Sequence, residues 1–372
     1  MTATSRVRSR LGLVAGMMLA AAIVTTAVLA LSGCAPQSAA GETAAADASA
    51  SSSPAEELRL GYFANVTHAP ALVGLQEGLF ADALGDTKLT TQVFNAGPAA
   101  IEALSAGAID ATYIGPNPSI NTFIQSGGQS AHIVAGAATG GAALVVRDGI
   151  DSAKDLEGTT LATPQLGNTQ DVALRSWLAD EGYTTDTTGG GDVHITPTEN
   201  AQTLTLFQQG ALDGAWLPEP WVSRLIVDAG AHVLVDEADL WEYGAFPTTV
   251  LLVRAEFLAE HPETVAALLK GHVASIAWLD EHADEAPAVI NTALEAETGK
   301  PLAGDVITRA LEHVTFSSDP HAETFETLVK NGLAAGTQKD GSIDGLFDLR
   351  LLNQLLEADD AEPVSAGELG EE

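Results

Sequence analysis

Cysteine is almost missing from this sequence: among 372 residues only Cys34 is one, so no disulfide can close within the chain. Basic residues are scarce as well, with 16 lysines and arginines facing 50 acidic residues, and Arg6, Arg8 and Arg10 lie in the first ten positions. A surface that grips nucleic-acid phosphates needs lysine and arginine, so a nucleic-acid partner is excluded. The acidic excess favours solubility outside the cell and also suits a salty habitat. The nine histidines are scattered without the spacing of a zinc helix or a Cys/His cluster, so no metal site is expected. A Walker loop, a G-x-G-x-x-G after a strand and a G-x-S-x-G elbow are also absent. No catalytic residue and no cofactor are therefore expected, and an enzyme is the weaker class.

What is present begins with length and apolar content: 46% of the residues are hydrophobic, ample for two lobes of about 150 residues each. Arg6, Arg8 and Arg10 precede the apolar run Leu11 to Leu31, which has the form of a signal peptide and is also long enough to span a bilayer. The stretch from Ala35 to Glu57 is rich in alanine and serine without aromatics or periodicity, and is expected to be a flexible tether.

The chain also contains a repeat. Ile101 to Pro118, IEALSAGAIDATYIGPNP, and Leu204 to Trp221, LTLFQQGALDGAWLPEPW, pass through the same steps. A helix end stops at Gly107 or Gly210, and an aliphatic residue and Asp110 or Asp213 follow. Next comes a short buried strand carrying Tyr113 or Trp216, and then a Pro-x-Pro turn. A period of about a hundred residues is too long for a solenoid and suits two related α/β lobes. Parallel strands deliver their carboxyl ends to loops where ligands settle, so both turns should face one cleft.

Taken in order, residues 58–150 read as the first part of lobe 1 and 151–247 as lobe 2. Residues 248–361 read as the helical return to lobe 1, and 362–372 as a flexible acidic tail. Ala143 to Arg147 and Thr248 to Arg254, alike in composition and in the closing arginine, are expected to be the two hinge strands crossing between lobes. Solvated strand ends are the plainer reading of Arg147 and Arg254. Helix starts at Thr67 to Pro70, Gly97-Pro98, Asn117-Pro118, Asn168-Thr169 and Glu219-Pro220 all aim at the cleft. Their unpaired N–H groups and positive dipole ends would make an anion site without any arginine.

Several motifs carry a family resemblance. Gly61-Tyr62-Phe63 with Thr67 to Leu72, the FNAGP run, ATYIGPNPSIN, ATPQLGNTQDVALRSWL and LDGAWLPEPW resemble the aliphatic-sulfonate group of ABC-transporter substrate-binding proteins, close to the taurine- and nitrate-binding proteins. The resemblance spans about residues 58–361. It implies a two-lobe, periplasmic-binding-protein-like (type II) α/β fold, each lobe a mixed sheet flanked by helices. It further implies a monomer that closes on a small organic anion and delivers it to membrane permease subunits with their ATPase. Leu31-Ser32-Gly33-Cys34 resembles the bacterial lipobox, which implies cleavage of residues 1–33 and a lipid anchor on Cys34 at the extracytoplasmic face of the membrane. Matched to the family's loops, the ligand-binding candidates are Asn65, Thr67 and His68, then Gly115 and Asn117, then Thr139 and Gly140. Asn168, Thr169 and Gln170, then Trp216 and Glu219, complete the set. A sulfonate wants donors only, which these polar residues supply, while Trp216 and Phe63 would line its organic side. Glu219 is the misfit: an acid there either points away or meets a cation such as the amine of taurine. Nitrate, bicarbonate or a heterocycle remain alternative ligands, and a sensing ectodomain an alternative role.

Overall fold

The computed structural model describes residues 53–372, so Cys34, the apolar run and most of the expected tether lie outside the described residues. The first sheet opens with β1 (Glu57–Phe63), β2 (Lys88–Phe94), β3 (Ala111–Ile114) and β4 (Ala131–Gly140). The chain then builds the second sheet from β5 (Ala142–Val146), β6 (Thr160–Thr163), β7 (His194–Pro197), β8 (Gly214–Pro218) and β9 (His232–Asp236). It returns to the first with β10 (Pro247–Arg254), β11 (Val314–Phe316), β12 (Phe347–Asp348) and β13 (Gly370–Glu371). The first sheet runs β13-β12-β4-β10-β3-β1-β2 with β11 on β4, and the second runs β7-β6-β8-β5-β9. In each, the strands that deliver loops to the cleft are parallel and one antiparallel strand, β10 or β5, closes the set. This is the mixed α/β, two-lobe arrangement expected.

The repeated stretch proves to be the same backbone knot in both lobes. Gly107 and Gly210 end their helices at φ 67° and 77°. Arg59 N–H donates to Asp110 Oδ2 at 3.0 Å while Asp110 N–H returns to the Arg59 carbonyl at 2.8 Å. In the second lobe Thr160 N–H donates to Asp213 Oδ2 at 2.8 Å and Asp213 N–H returns to Thr160 at 2.8 Å. The antiparallel strand docks identically, Arg254 N–H on the Asp110 carbonyl at 2.9 Å and Arg147 N–H on the Asp213 carbonyl at 3.0 Å. A short acidic side chain at that corner satisfies the first free N–H of the neighbouring strand, which is why aspartate serves both times.

Arg147 and Arg254 are therefore equivalent residues, each ion-paired to the aspartate of its own lobe, at 3.2 Å and 3.1 Å. That corrects the expected hinge: β5 lies wholly in the second sheet and β10 wholly in the first. One crossing is made at Gly140-Gly141, where φ of 78° and 72° lets the chain turn in a conformation side chains resist, so the second sheet starts at Ala142, ahead of position 151. The other runs through two 3-10 turns, Glu237–Leu240 and Glu242–Gly244.

Three smaller expectations also change. The tether ends earlier, since Ala55 is buried with its N–H on Thr264 Oγ1 and β1 begins at Glu57. The tail is folded: Ala366 and Leu369 are buried, Asn353 exchanges two hydrogen bonds with Val364, and β13 pairs parallel with β12. The return region is not all helical, since β11 and β12 belong to it. Its main helix, Pro262–Glu281, buries Val265, Leu268, Leu269 and Leu279 at helical spacing and packs against the helices Ala69–Gln76 and Leu79–Leu84. Each such leucine stabilises by roughly 1.5 to 3 kcal/mol, so this layer is what fixes β1 and its following loop in place.

Candidate ligand site between the lobes

The parallel strands end on one side, and there a small cavity with about 20 Å³ of free space lies between the lobes. Its walls come from both lobes: Phe63, Asn65, Thr67, His68, Asn95, Gly115 and Thr248 from the first, and Pro164, Asn168, Thr169, Gln170, Asn200 and Pro218 from the second. No lysine, arginine, aspartate or glutamate is among them. The helices Ala69–Gln76, Pro116–Gln125, Thr169–Asp180 and Asn200–Gln208 all start at this cavity, and in none does the N-cap side chain cap the first turn. Their first-turn N–H groups and positive dipole ends therefore face a shared point with no acidic wall to answer them.

Side chains continue the donor character. His68 is buried, and its Nδ1 accepts the Phe63 N–H at 3.3 Å, which leaves the proton on Nε2. Burial without a charged partner pushes the His68 imidazole down to about 3, so it is neutral at physiological pH and acts as a donor. Asn168 Oδ1 accepts Gly97 N–H at 3.1 Å while its Nδ2 donates to Gln170 Oε1 at 2.8 Å. With its oxygen engaged, what Gln170 offers a guest is its NH2 group. Two polar atoms of the wall, Thr169 Oγ1 and Asn200 Oδ1, are buried without a protein partner. Of the two, the Thr169 hydroxyl can donate to a guest, while the Asn200 oxygen can only accept. Gly115 closes the space from the other lobe, since a Cβ there would stand 2.3 Å from Thr169 Oγ1.

The structure brings together Asn65, Thr67, His68, Gly115, Asn168, Thr169 and Gln170 of the expected set, with Phe63 beside them. The others fall elsewhere. Asn117 is buried one layer back, its Nδ2 donating to the Leu328 carbonyl at 3.3 Å. Thr139 lies on β4 opposite Thr315, and Gly140 supports the wall indirectly by accepting the Thr248 hydroxyl with its carbonyl. Trp216 is a core residue rather than a lining one: it is fully buried, packs against Trp177 and donates from Nε1 to Glu237 Oε2 at 2.7 Å. Two residues before the strand end is still inside the sheet layer. Trp221, on the first helical turn, reaches the cleft instead and donates to Asn65 Oδ1 at 2.8 Å.

Glu219 both points away from the cavity and meets a cation, and that cation is the protein's own Arg309, at 3.0 Å. Ser223 donates to the same carboxylate from N and Oγ at 3.0 and 2.9 Å. Burial pushes the Glu219 carboxyl up, with Ser223 and Arg309 pulling the other way. A ligand amine is thus not needed to explain it. Three polar wall residues were missed, Asn95, Asn200 and Thr248, and two prolines, Pro164 and Pro218, complete the wall. Asn95 follows β2, whose register sets Phe94 beside Phe63, so it occupies the same strand end as the expected first loop. Among the described residues no group of three or more His, Cys, Asp or Glu could hold a metal, and no helix is long and apolar enough to cross a membrane.

Two lobes meeting over an uncharged, donor-rich cavity at their strand ends give the arrangement in which α/β folds hold small ligands. The chain belongs to the NMT1-like family, whose profile matches residues 51–293. It is 28% identical over 207 residues to the taurine-binding periplasmic protein of Escherichia coli (strain K12), a match covering 55% of this chain and 61% of that relative, under two thirds of the relative's length. Among solved structures it is similar to the alkanesulfonate-binding protein SsuA of Xanthomonas axonopodis pv. citri bound to MOPS, with TM-score 0.65, 21% identity, and coverage of 77% of this chain and 96% of that one. It is also similar to the periplasmic nitrate-binding protein NrtA of Synechocystis PCC 6803, with TM-score 0.70, 16% identity, and coverage of 82% and 89%. At such identities the structural likeness speaks for the fold alone.

Proposed function

We propose that this chain is the solute-binding component of an ABC importer, and that it captures a small organic anion, an aliphatic sulfonate such as taurine or an alkanesulfonate, in the cavity between its lobes. The observation that carries this is the cavity wall: four helix starts, neutral donors from Thr, Asn, Gln and His68, among them the unpartnered Thr169 hydroxyl, and no charged side chain. A sulfonate has one charge, three acceptor oxygens and no proton at neutral pH, so it matches donors and helix dipoles and gains nothing from an acid. The taurine-binding relative supports the same ligand class. The guest is then handed to permease subunits with their ATPase, and the protein does no chemistry on it. Cys34 carries the lipid that holds a monomer at the extracytoplasmic face of the membrane, after cleavage of residues 1–33. Closure is driven by the ligand, because only the closed form offers both lobes' donors at once.

Nitrate is the second reading, favoured by the small size of the cavity between the lobes. Titration calorimetry with taurine, ethanesulfonate, nitrate and sulfate decides between them. Sulfonate binding near micromolar affinity, about 8 kcal/mol, is expected. Tight nitrate binding with no heat from either sulfonate would overturn the choice.

A further inference from the structure

Glu219 follows Pro218 of the cavity wall and is 1% exposed, so its charge lies where water screens it poorly. Glu199 also adjoins the wall, accepting from Asn95 Nδ2 at 3.0 Å, but it is exposed and screened. An unanswered carboxylate at Glu219 would oppose any anion held in the cavity. Its answer comes from the other lobe. Arg309 stands on the helix Gly304–Glu312, whose Ile307 and Ala310 are buried in the core of lobe 1. Val222 and Leu225, on the helix that opens just after Glu219, are buried in the core of lobe 2. Across that boundary Arg309 Nη1 donates to Glu219 Oε1 at 3.0 Å and to Ser223 Oγ at 2.9 Å. Beside it a looser cross-lobe pair, His313 Nδ1 and Asp236 Oδ2 at 3.9 Å, is more than a third exposed on both sides.

Building on the anion reading above, we propose that Arg309 is a positioning residue for solute capture: closure brings it onto Glu219 as water is excluded, and by cancelling that charge it lets the lobes shut over an anion. The Ser223 donors belong to the same lobe as Glu219 and stay with it whether the lobes are together or apart, so Arg309 is the part of the cluster that closure adds. Without it, closing would bury an unanswered acid beside the guest. Closure and anion affinity are thus coupled through a charge that never touches the solute, and by reciprocity a bound anion favours the Arg309 contact.

The test is calorimetry on the purified protein at low ionic strength, with ethanesulfonate and nitrate as probes, comparing the parent with Arg309→Gln, Glu219→Gln and the double variant. A purely structural bond is lost equally in both single variants and would weaken binding in both. Charge cancellation gives opposite signs. Arg309→Gln is expected to weaken both probes about tenfold or more, Glu219→Gln to strengthen them about threefold, and the double variant to return to within about threefold of the parent. Weakening by both single variants, an Arg309→Gln protein that binds like the parent, or a double variant no better than Arg309→Gln each overturns the proposal while leaving the anion cavity intact. Where Arg309→Gln does not fold, the Glu219→Gln result decides alone: tighter binding supports the proposal, and unchanged or weaker binding overturns it. No binding of either probe by the parent overturns the anion reading itself, and the role of Arg309 with it.

Discussion

Asp110 and Asp213 occupy the same corner of the two lobes, yet their surroundings differ. Asp110 is buried and serves two arginines, Arg59 at 2.6 Å and Arg254 at 3.1 Å. Asp213 keeps about a third of its side chain in water and serves Arg147 alone, at 3.2 Å. Three positions on, Tyr113 sets its hydroxyl 2.8 Å from His272 Nδ1, whereas Trp216 donates to Glu237. The backbone knot was kept in both halves because the turn geometry demands it. The partners of its side chains were free to diverge, and they diverged toward opposite responses to pH.

The sharpest way to break the comparison is to delete the two aspartates in turn. Asp110→Ala strands two arginines and the Arg59 N–H, and is expected to lower unfolding free energy by about 3 to 5 kcal/mol in denaturant titrations. Next in size is the pH contrast. Burial, the larger cause, holds the Glu237 carboxyl up at about 7 from 4.5, with the Trp216 N–H opposing and the Asp236 charge adding to the rise. Its stability contribution is fully present below about pH 4.5 and is lost as pH rises through 7, a swing of about 3 kcal/mol. His272 behaves in the opposite sense: burial lowers it from 6.5 to about 4, so its contribution is present above 6.5 and lost as pH falls through 4. Glu237→Gln should therefore remove the decline between pH 4.5 and 7, while His272→Gln should soften the acid limb. Stability against pH that is unaltered by either substitution would show that the two aromatics' partners are not what separates the lobes.

A smaller effect concerns the space where the lobes meet. Gly115→Ala places a methyl 2.3 Å from the position of Thr169 Oγ1, so closure should fail and sulfonate affinity drop by roughly tenfold or more, about 1.4 kcal/mol, by calorimetry. Smallest of all, Asp213→Ala breaks only a half-exposed ion pair and one strand-end hydrogen bond, and is expected to cost about 1 kcal/mol. Equal losses from the two aspartates would erase the asymmetry.

Much of this was legible in the sequence because it depends on punctuation. Gly107, Gly210 and the Pro-x-Pro turns announce strand and helix ends, and Asn168 before Thr169 announces a helix start, so seven of the expected residues do line the cavity between the lobes. What escaped depends on direction. Trp216 and Trp221 sit five residues apart in one motif, and only the strand's remaining course decides which faces the cleft. Asn200 opens its helix without a proline or glycine to flag it, and Thr248 enters the wall from an antiparallel strand pointing the other way. Arg147 and Arg254 are alike because they are equivalent positions in two separate sheets, so their likeness carries no information about where the chain crosses between lobes. The strand at Gly370–Glu371 is too short for any periodicity to reveal.

The bonds from Trp221 to Asn65 and from Asn95 to Glu199 each join one lobe to the other at the edge of the cavity. Under the proposed function a captured solute is expected to leave once both let go, an event of the protein's own making. Its residence time should then follow the reopening of the lobes, and stopped-flow chases would show tight and weak guests departing at similar rates while differing in how often they trigger closure.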